Sequence, residues 1–104
     1  MTIPDTLNIM GTGWRVIKLG RMEDVDPDGS ELLWGHCNRI RREIRVYMGG
    51  DPADTLQSFM HELTHAILDE LHMKESENEQ WVDVFSRALT DTLTRNAMVT
   101  TEDV

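Results

Sequence analysis

The sequence predicts a small α+β domain: an antiparallel sheet built from the first half of the chain, packed on a helix that carries His61 and His65, and closed by a second helix. Three observations predict it. Between Leu7 and Met48 lie four short runs rich in β-branched or aromatic residues, separated by glycine, proline and acidic turns. Two later stretches, 51–71 and 76–93, carry apolar residues at helical spacing behind recognisable start signals. The length of 104 residues suits one domain, spanning 1–104, around one core.

The elements follow in order. "LNIM" (7–10) and "WRVIKL" (14–19) flank "GTG", a hairpin signal. "RMEDVDPDGSE" is an acidic loop around Pro27 and Gly29. Its "DVDPDG" matches the opening of a calcium loop, but Gly35 stands where that motif needs glutamate, so a solvated turn is expected. "LLWGHC" (32–37) and "EIRVYM" (43–48) are the next strands, joined by "NRIRR". In the second, Ile44, Val46 and Met48 alternate with Glu43, Arg45 and Tyr47, giving one apolar and one wet face. Cys37 reads as a small buried hydrophobe. Arg39, Arg41, Arg42 and Arg45 read as a solvated basic turn, with contact to an acidic partner as the functional alternative.

Asp51 is the expected N-cap of the first helix, with Pro52 at its first position. Leu56, Phe59, Met60, Leu63, Ala66, Ile67 and Leu71 form its apolar stripe. "HMKES" breaks the pattern. "SENE" (76–79) then resembles a capping box, Ser76 as N-cap with Glu79 turned back onto it. Val82, Phe85, Leu89 and Leu93 make the core face of the second helix, widened by Trp81, Val84 and Ala88. The tail from Met98 to Val104 is expected to fray.

Composition narrows the partners. A net charge of -9 disfavours nucleic acid and is compatible with a basic or peptide-like partner. The single cysteine excludes an internal disulfide and fits a reducing compartment. The N-terminus has no signal-peptide pattern, and no run approaches the roughly 20 apolar residues of a membrane span. A cytoplasmic location is the expectation.

The chemistry lies in "HELTH": His61, Glu62, Leu63, Thr64, His65. Residues at i and i+4 share a helical face, so both imidazoles can hold one Zn²⁺. Glu62 stands about 100° round the helix from His61, beside the ion, where it can take a proton from an attacking water. Zinc in a catalytic site needs a third protein ligand and an open fourth position. Glu79 and Asp83, an i, i+4 pair in "NEQWVD", are the nearest candidates on the second helix. In a tight helical hairpin Asp83 would lie level with the histidines. Glu79 reaches them only if the helices cross or the second starts lower. His72 is about 10 Å beyond His65 along the helix, too far to share the ion.

"NEQWVD" resembles the N-E-x-x-x-D element of thermolysin-type gluzincins. That resemblance implies Glu79 as third zinc ligand and Asp83 as the residue orienting a ligand histidine. The order of strands, "HELTHAI", and "ENEQWVDVFSRAL" with Glu79, Asp83, Phe85 and Ser86 also resembles minimal zincins of the ImmA/IrrE type. Short metallopeptidase-like proteins of bacteriophages are similar, and SprT-like proteases more distantly. The resemblance implies a zinc metallopeptidase acting on a protein or peptide, by analogy a repressor or virion protein in the host cytoplasm. It also implies an edge strand at Glu43–Met48 that pairs with an extended substrate through Val46, where Tyr47 either faces the cleft or is an ordinary exposed strand tyrosine, the latter being the favoured reading. The chain departs from the longer families in lacking a regulatory domain and a tyrosine or histidine after Glu79 to steady an oxyanion. The rival classes are a zinc-binding interaction or structural protein without protease activity and a zinc hydrolase acting on another bond. Glu62 argues against the structural alternative, because a purely structural site has no use for a base there.

Overall fold

The computed structural model describes residues 2–101. β1 (Thr6–Ile9) and β2 (Thr12–Leu19) form an antiparallel hairpin. Its turn residues Met10 and Gly11 both have positive φ, as a two-residue type I′ turn requires. The Asn8 side chain accepts from the Gly11 N–H at 2.7 Å and fixes that turn. β3 (Gly35–Asn38) and β4 (Glu43–Tyr47) form a second antiparallel pair. Between them Asn38 Oδ1 accepts from the N–H groups of Ile40 and Arg41.

The sheet is mixed rather than antiparallel throughout. Its order is β1-β2-β4-β3, and β4 pairs with β2 in parallel register, Val16 opposite Ile44 and Lys18 opposite Val46. β4 is therefore interior, and β3 holds the edge. The reason lies in burial. Ile44 and Val46 are completely buried, and a central position covers them on both flanks. The long connection from β2 makes a parallel pairing reachable. It is anchored by fully buried Val25, while the Asp26 carboxylate accepts from the N–H groups of Asp28, Ser30 and Glu31. That carboxylate is occupied by its own loop, in keeping with an acidic turn rather than a calcium loop.

The register also explains Glu43, which is 3% exposed at the start of β4. Arg15 Nη2 meets its Oε2 at 2.8 Å from β2, and Arg45 Nε meets its Oε1 at 2.9 Å. Arg42 bonds Glu70 at 2.9 Å, so part of the basic cluster is structural. Replacing Glu43 by alanine removes the shared acceptor of the exposed Arg15 and the half-buried Arg45, which keeps only its bond to Asp24 O. The expected loss is about 2 kcal/mol of stability, measured by denaturant unfolding.

α1 (Pro52–Glu70) starts as its sequence dictates, with the Asp51 carboxylate accepting from Ala53 N–H at 2.9 Å and Pro52 in the first turn. Leu56, Phe59, Met60 and Ala66 are buried against Ile3, Ile9, Trp14, Val16, Ile44 and Val46 of the core. The stripe runs on through Thr64 and Leu68, leaving Ile67 and Leu71 partly exposed. α1 packs on β3 and β4 on one side and on α2 (Glu79–Arg95) on another.

α2 keeps Val82, Leu89 and Leu93 on its inner side as expected but turns Phe85 outward. Its buried residues are Val82, Ser86 and Thr90, while Phe85, Trp81 and Val84 face outward, with Trp81 and Phe85 rings stacked at 5.1 Å. The buried hydroxyls are satisfied: Thr90 donates to Ser86 O, and Ser86 donates to Asp83 O while accepting from Gln57. Small side chains at this contact let the two helices approach closely. After α2, Val99 packs on the core, so the expected fraying does not begin at Met98; residues 102–104 lie outside the described residues. No helix among the described residues is long and apolar enough to cross a membrane.

Candidate metal centre

His61 and His65 lie on α1 and Glu79 is the first residue of α2. The link between the helices sets their heights. α1 stops at Leu71, where His72 takes a φ of 56° that ends the helical path. A 3₁₀ turn, Lys74–Glu77, then folds back over the last turns of α1, and Asn78 caps α2 by accepting from Trp81 N–H at 3.0 Å. Asn78 is thus the N-cap in place of Ser76. With that role filled, the Glu79 carboxylate faces the histidines instead of turning back on Ser76, and the late start of α2 brings it level with them.

The geometry is close. Glu79 Oε1 lies 2.8 Å from His65 Nε2, and Glu79 Oε2 lies 3.0 Å from His61 Nε2. One ligand atom from each of the three residues falls within 4.8 Å of the others. The imidazole rings meet edge to face with centroids 5.0 Å apart. Asp83, one turn after Glu79, has Oδ1 3.6 Å from His61 Nδ1 and Oδ2 3.0 Å from Arg87 Nε. It therefore stands behind His61 rather than His65. Both histidines are largely buried, whereas the Glu79 side chain is 73% exposed, so the group is open on one side.

That open side is a cleft of about 1090 Å³ between β3 and the two helices, lined among others by Trp34, Gly35, Cys37, His61, Glu62 and Glu79. Glu62 lies in its wall, 8% exposed, against Gly35 of the edge strand. A Cβ on Gly35 would stand 2.8 Å from Glu62 Cγ and 2.9 Å from Oε2, so the strand can approach this carboxylate only as glycine. Burial, and then the charge of Glu79, push the Glu62 carboxyl up to about 8. Burial also pushes the Cys37 thiol up, with Asp69 Oδ2 at 3.9 Å, which fits an unreactive cysteine.

The donor set fits zinc. Two imidazole nitrogens and one carboxylate are the ligands of a hydrolytic zinc site, and three protein ligands leave the fourth position to the cleft. Val46 and Tyr47 do not serve as expected. Val46 is fully buried, and both edges of β4 are paired, so no substrate strand can add there. Tyr47 packs edge-on to Trp34 at 5.6 Å, with its hydroxyl against Gly49. The edge beside Glu62 belongs to β3. Gly35 and Ser76 are the neighbours of this site that their sequence context did not disclose, because one reads as a strand glycine and the other as a cap. Compared with known families, with curated proteins and with solved structures, the chain finds no match.

Proposed function

We propose that the protein is a zinc-dependent metallopeptidase that hydrolyses peptide bonds of a protein substrate in the cleft between β3 and the helices. One observation carries this reading: His61, His65 and Glu79 converge their ligand atoms within 4.8 Å, with Glu62 beside them in the cleft wall. A structural zinc site is closed by four protein ligands, whereas this group has three and opens onto a cleft. When bound, zinc supplies a Lewis acid that polarises the scissile carbonyl and makes water acidic enough to lose a proton near neutral pH.

The chain's own residues supply the rest. Glu62, in its ionised form, accepts the proton of the attacking water on a carboxylate oxygen and delivers it to the departing amine nitrogen. The positive charge of the ion favours that ionised form, opposing the burial that raises the carboxyl in its absence. Asp83 holds negative charge behind His61. β3, as the edge strand bordering the cleft, offers main-chain groups to an extended peptide, giving affinity with little demand on sequence. The phage-type resemblance of the sequence supports a cytoplasmic protein target.

The test is cleavage of an unstructured protein such as casein with zinc, with a chelator, and after zinc is restored. Loss with chelator and recovery with zinc is the expected result; cleavage indifferent to chelator overturns it. Gly35→Ala should leave zinc stoichiometry unchanged and lower the cleavage rate by about 10²-fold, because the added methyl displaces Glu62 from its position. Wild-type rates in this variant would mean that the contact between β3 and Glu62 does not govern the base.

A further inference from the structure

We propose that Ser76 is a positioning residue for His65: its hydroxyl holds His65 in the Nδ1–H form and so leaves the Nε2 lone pair directed at the metal position. The inference rests on the proposed metal site and adds to it a residue that acts through a ligand. Ser76 Oγ stands 3.3 Å from His65 Nδ1 and 3.3 Å from the His65 carbonyl oxygen. The hydroxyl has a single proton. The carbonyl can only accept, so that proton goes to it, and Ser76 Oγ is left as an acceptor for the ring. His65 Nδ1 must then be the donor, which leaves Nε2 without its proton in the neutral ring.

The surroundings permit no easy substitute. Ser76 and His65 are each 8% exposed, so water does not compete freely for either group. Ser76 is fixed by the 3₁₀ turn, where its N–H donates to Met73 O at 3.2 Å, and that turn packs along α1. The side chain is also free of a capping duty, which Asn78 performs. On the other side of the ring, His65 Nε2 faces Glu79 Oε1 at 2.8 Å. In the Nδ1–H form these are two acceptors facing one another, an arrangement that a shared cation relieves. Without the cation, Glu79 and the intrinsic preference of neutral histidine both favour a proton on Nε2, so the acceptor at Nδ1 lowers the cost of giving up that proton when the ion binds. The two histidines are thus supported differently, His61 by a carboxylate at 3.6 Å and His65 by a hydroxyl.

The experiment uses the full chain labelled with ¹⁵N at histidine. Long-range ¹H–¹⁵N correlation of the metal-free Glu79→Ala protein, which lacks the carboxylate that competes for a proton on Nε2, reads the tautomer of His65 at a pH where its rings are neutral. Zinc affinity is read separately, with Glu79 in place, by competition with a chromophoric chelator. In the Glu79→Ala background, Ser76 and Ser76→Thr, which keeps the hydroxyl, are expected to show Nδ1–H, and Ser76→Ala should populate Nε2–H. With Glu79 in place, Ser76→Ala should bind zinc about 10-fold more weakly than wild type, at the low end of losses when a ligand histidine loses its outer partner. Nε2–H in Glu79→Ala overturns the inference even if the Ser76→Ala variants fail to fold. An unchanged tautomer on adding Ser76→Ala, or unchanged zinc affinity in Ser76→Ala while wild type binds zinc, overturns it as well. If wild type binds no zinc but Glu79→Ala shows an Nδ1–H form lost with Ser76→Ala, the hydrogen-bond role of Ser76 stands and the metallopeptidase reading falls.

Discussion

Purified protein should bind one zinc ion per chain, and His65→Ala should abolish stoichiometric binding. An ion bound there would contact only the folded arrangement of His61, His65 and Glu79, because α1 and α2 hold these side chains together and an unfolded chain does not. Zinc present at 100 times its dissociation constant therefore stabilises the fold by about 2.7 kcal/mol. For a domain of this size that corresponds to a rise in Tm of roughly 10–20 °C. The increment should vanish in His65→Ala. Glu79→Gln should weaken binding severely, since an amide replaces the carboxylate that faces both imidazoles at 2.8 and 3.0 Å. Asp83→Ala, which alters a side chain 3.6 Å behind His61, should cost about 10–100-fold in affinity. Elemental analysis and thermal unfolding with and without zinc check the series. Full zinc retention by His65→Ala would remove the assignment, and a larger loss for Asp83→Ala than for Glu79→Gln would exchange the two roles.

Glu62→Gln should keep zinc and fold yet lose hydrolysis by about 10²–10⁴-fold, the usual contribution of a general base. The same substitution has a second signature that needs no substrate. In the metal-free protein burial raises the Glu62 carboxyl from its ordinary 4.5 to about 8. Between those values the unfolded chain has released this proton while the folded chain still holds it. Stability attributable to Glu62 must then fall as pH rises from 4.5 towards 8, with no cost below that window and a constant one above it. A shift of this size corresponds to a few kcal/mol, on the order of half a small domain's total stability. Glu62→Gln should flatten the slope, and so should zinc, whose charge favours the carboxylate. Denaturant midpoints at several pH values, for both proteins with and without zinc, read this directly. If the variant cleaves as fast as wild type, Glu62 is not the base; if neither cleaves and both bind zinc, a zinc-binding interaction protein becomes the better description.

Local chemistry was legible in the sequence where a few neighbouring residues decide the outcome. Asp51 and Pro52 start α1 because an acceptor side chain and a fixed φ suit a helix's first turn in any context. His61, Glu62 and His65 share one region of α1 because helical geometry places them there. The α+β class followed from the change of apolar period between Met48 and Asp51, and the structure has that class. Partner choice was another matter. Every strand pattern that fits β4 at an edge fits it equally at the centre, and only the competing burial of Ile44 and Val46 selects the centre. On α2 the expected Val82, Leu89 and Leu93 face inward, and only Phe85 departs, because it is as apolar as Val82 and nothing local ranks them.

The sequence by itself determined the donor atoms available to a metal and the helix that presents two of them. Helical periodicity is a property of consecutive residues, so it survives being read in isolation. Tertiary structure alone decided that Glu79 rather than Asp83 stands level with the histidines and that Gly35 presses on Glu62. Each depends on where two segments distant in sequence come to rest, and that is fixed by the summed burial of many side chains rather than by the residues at the contact. The raised carboxyl of Glu62 belongs to the same class, because a pKa responds to the water and charge that the finished fold leaves around the group.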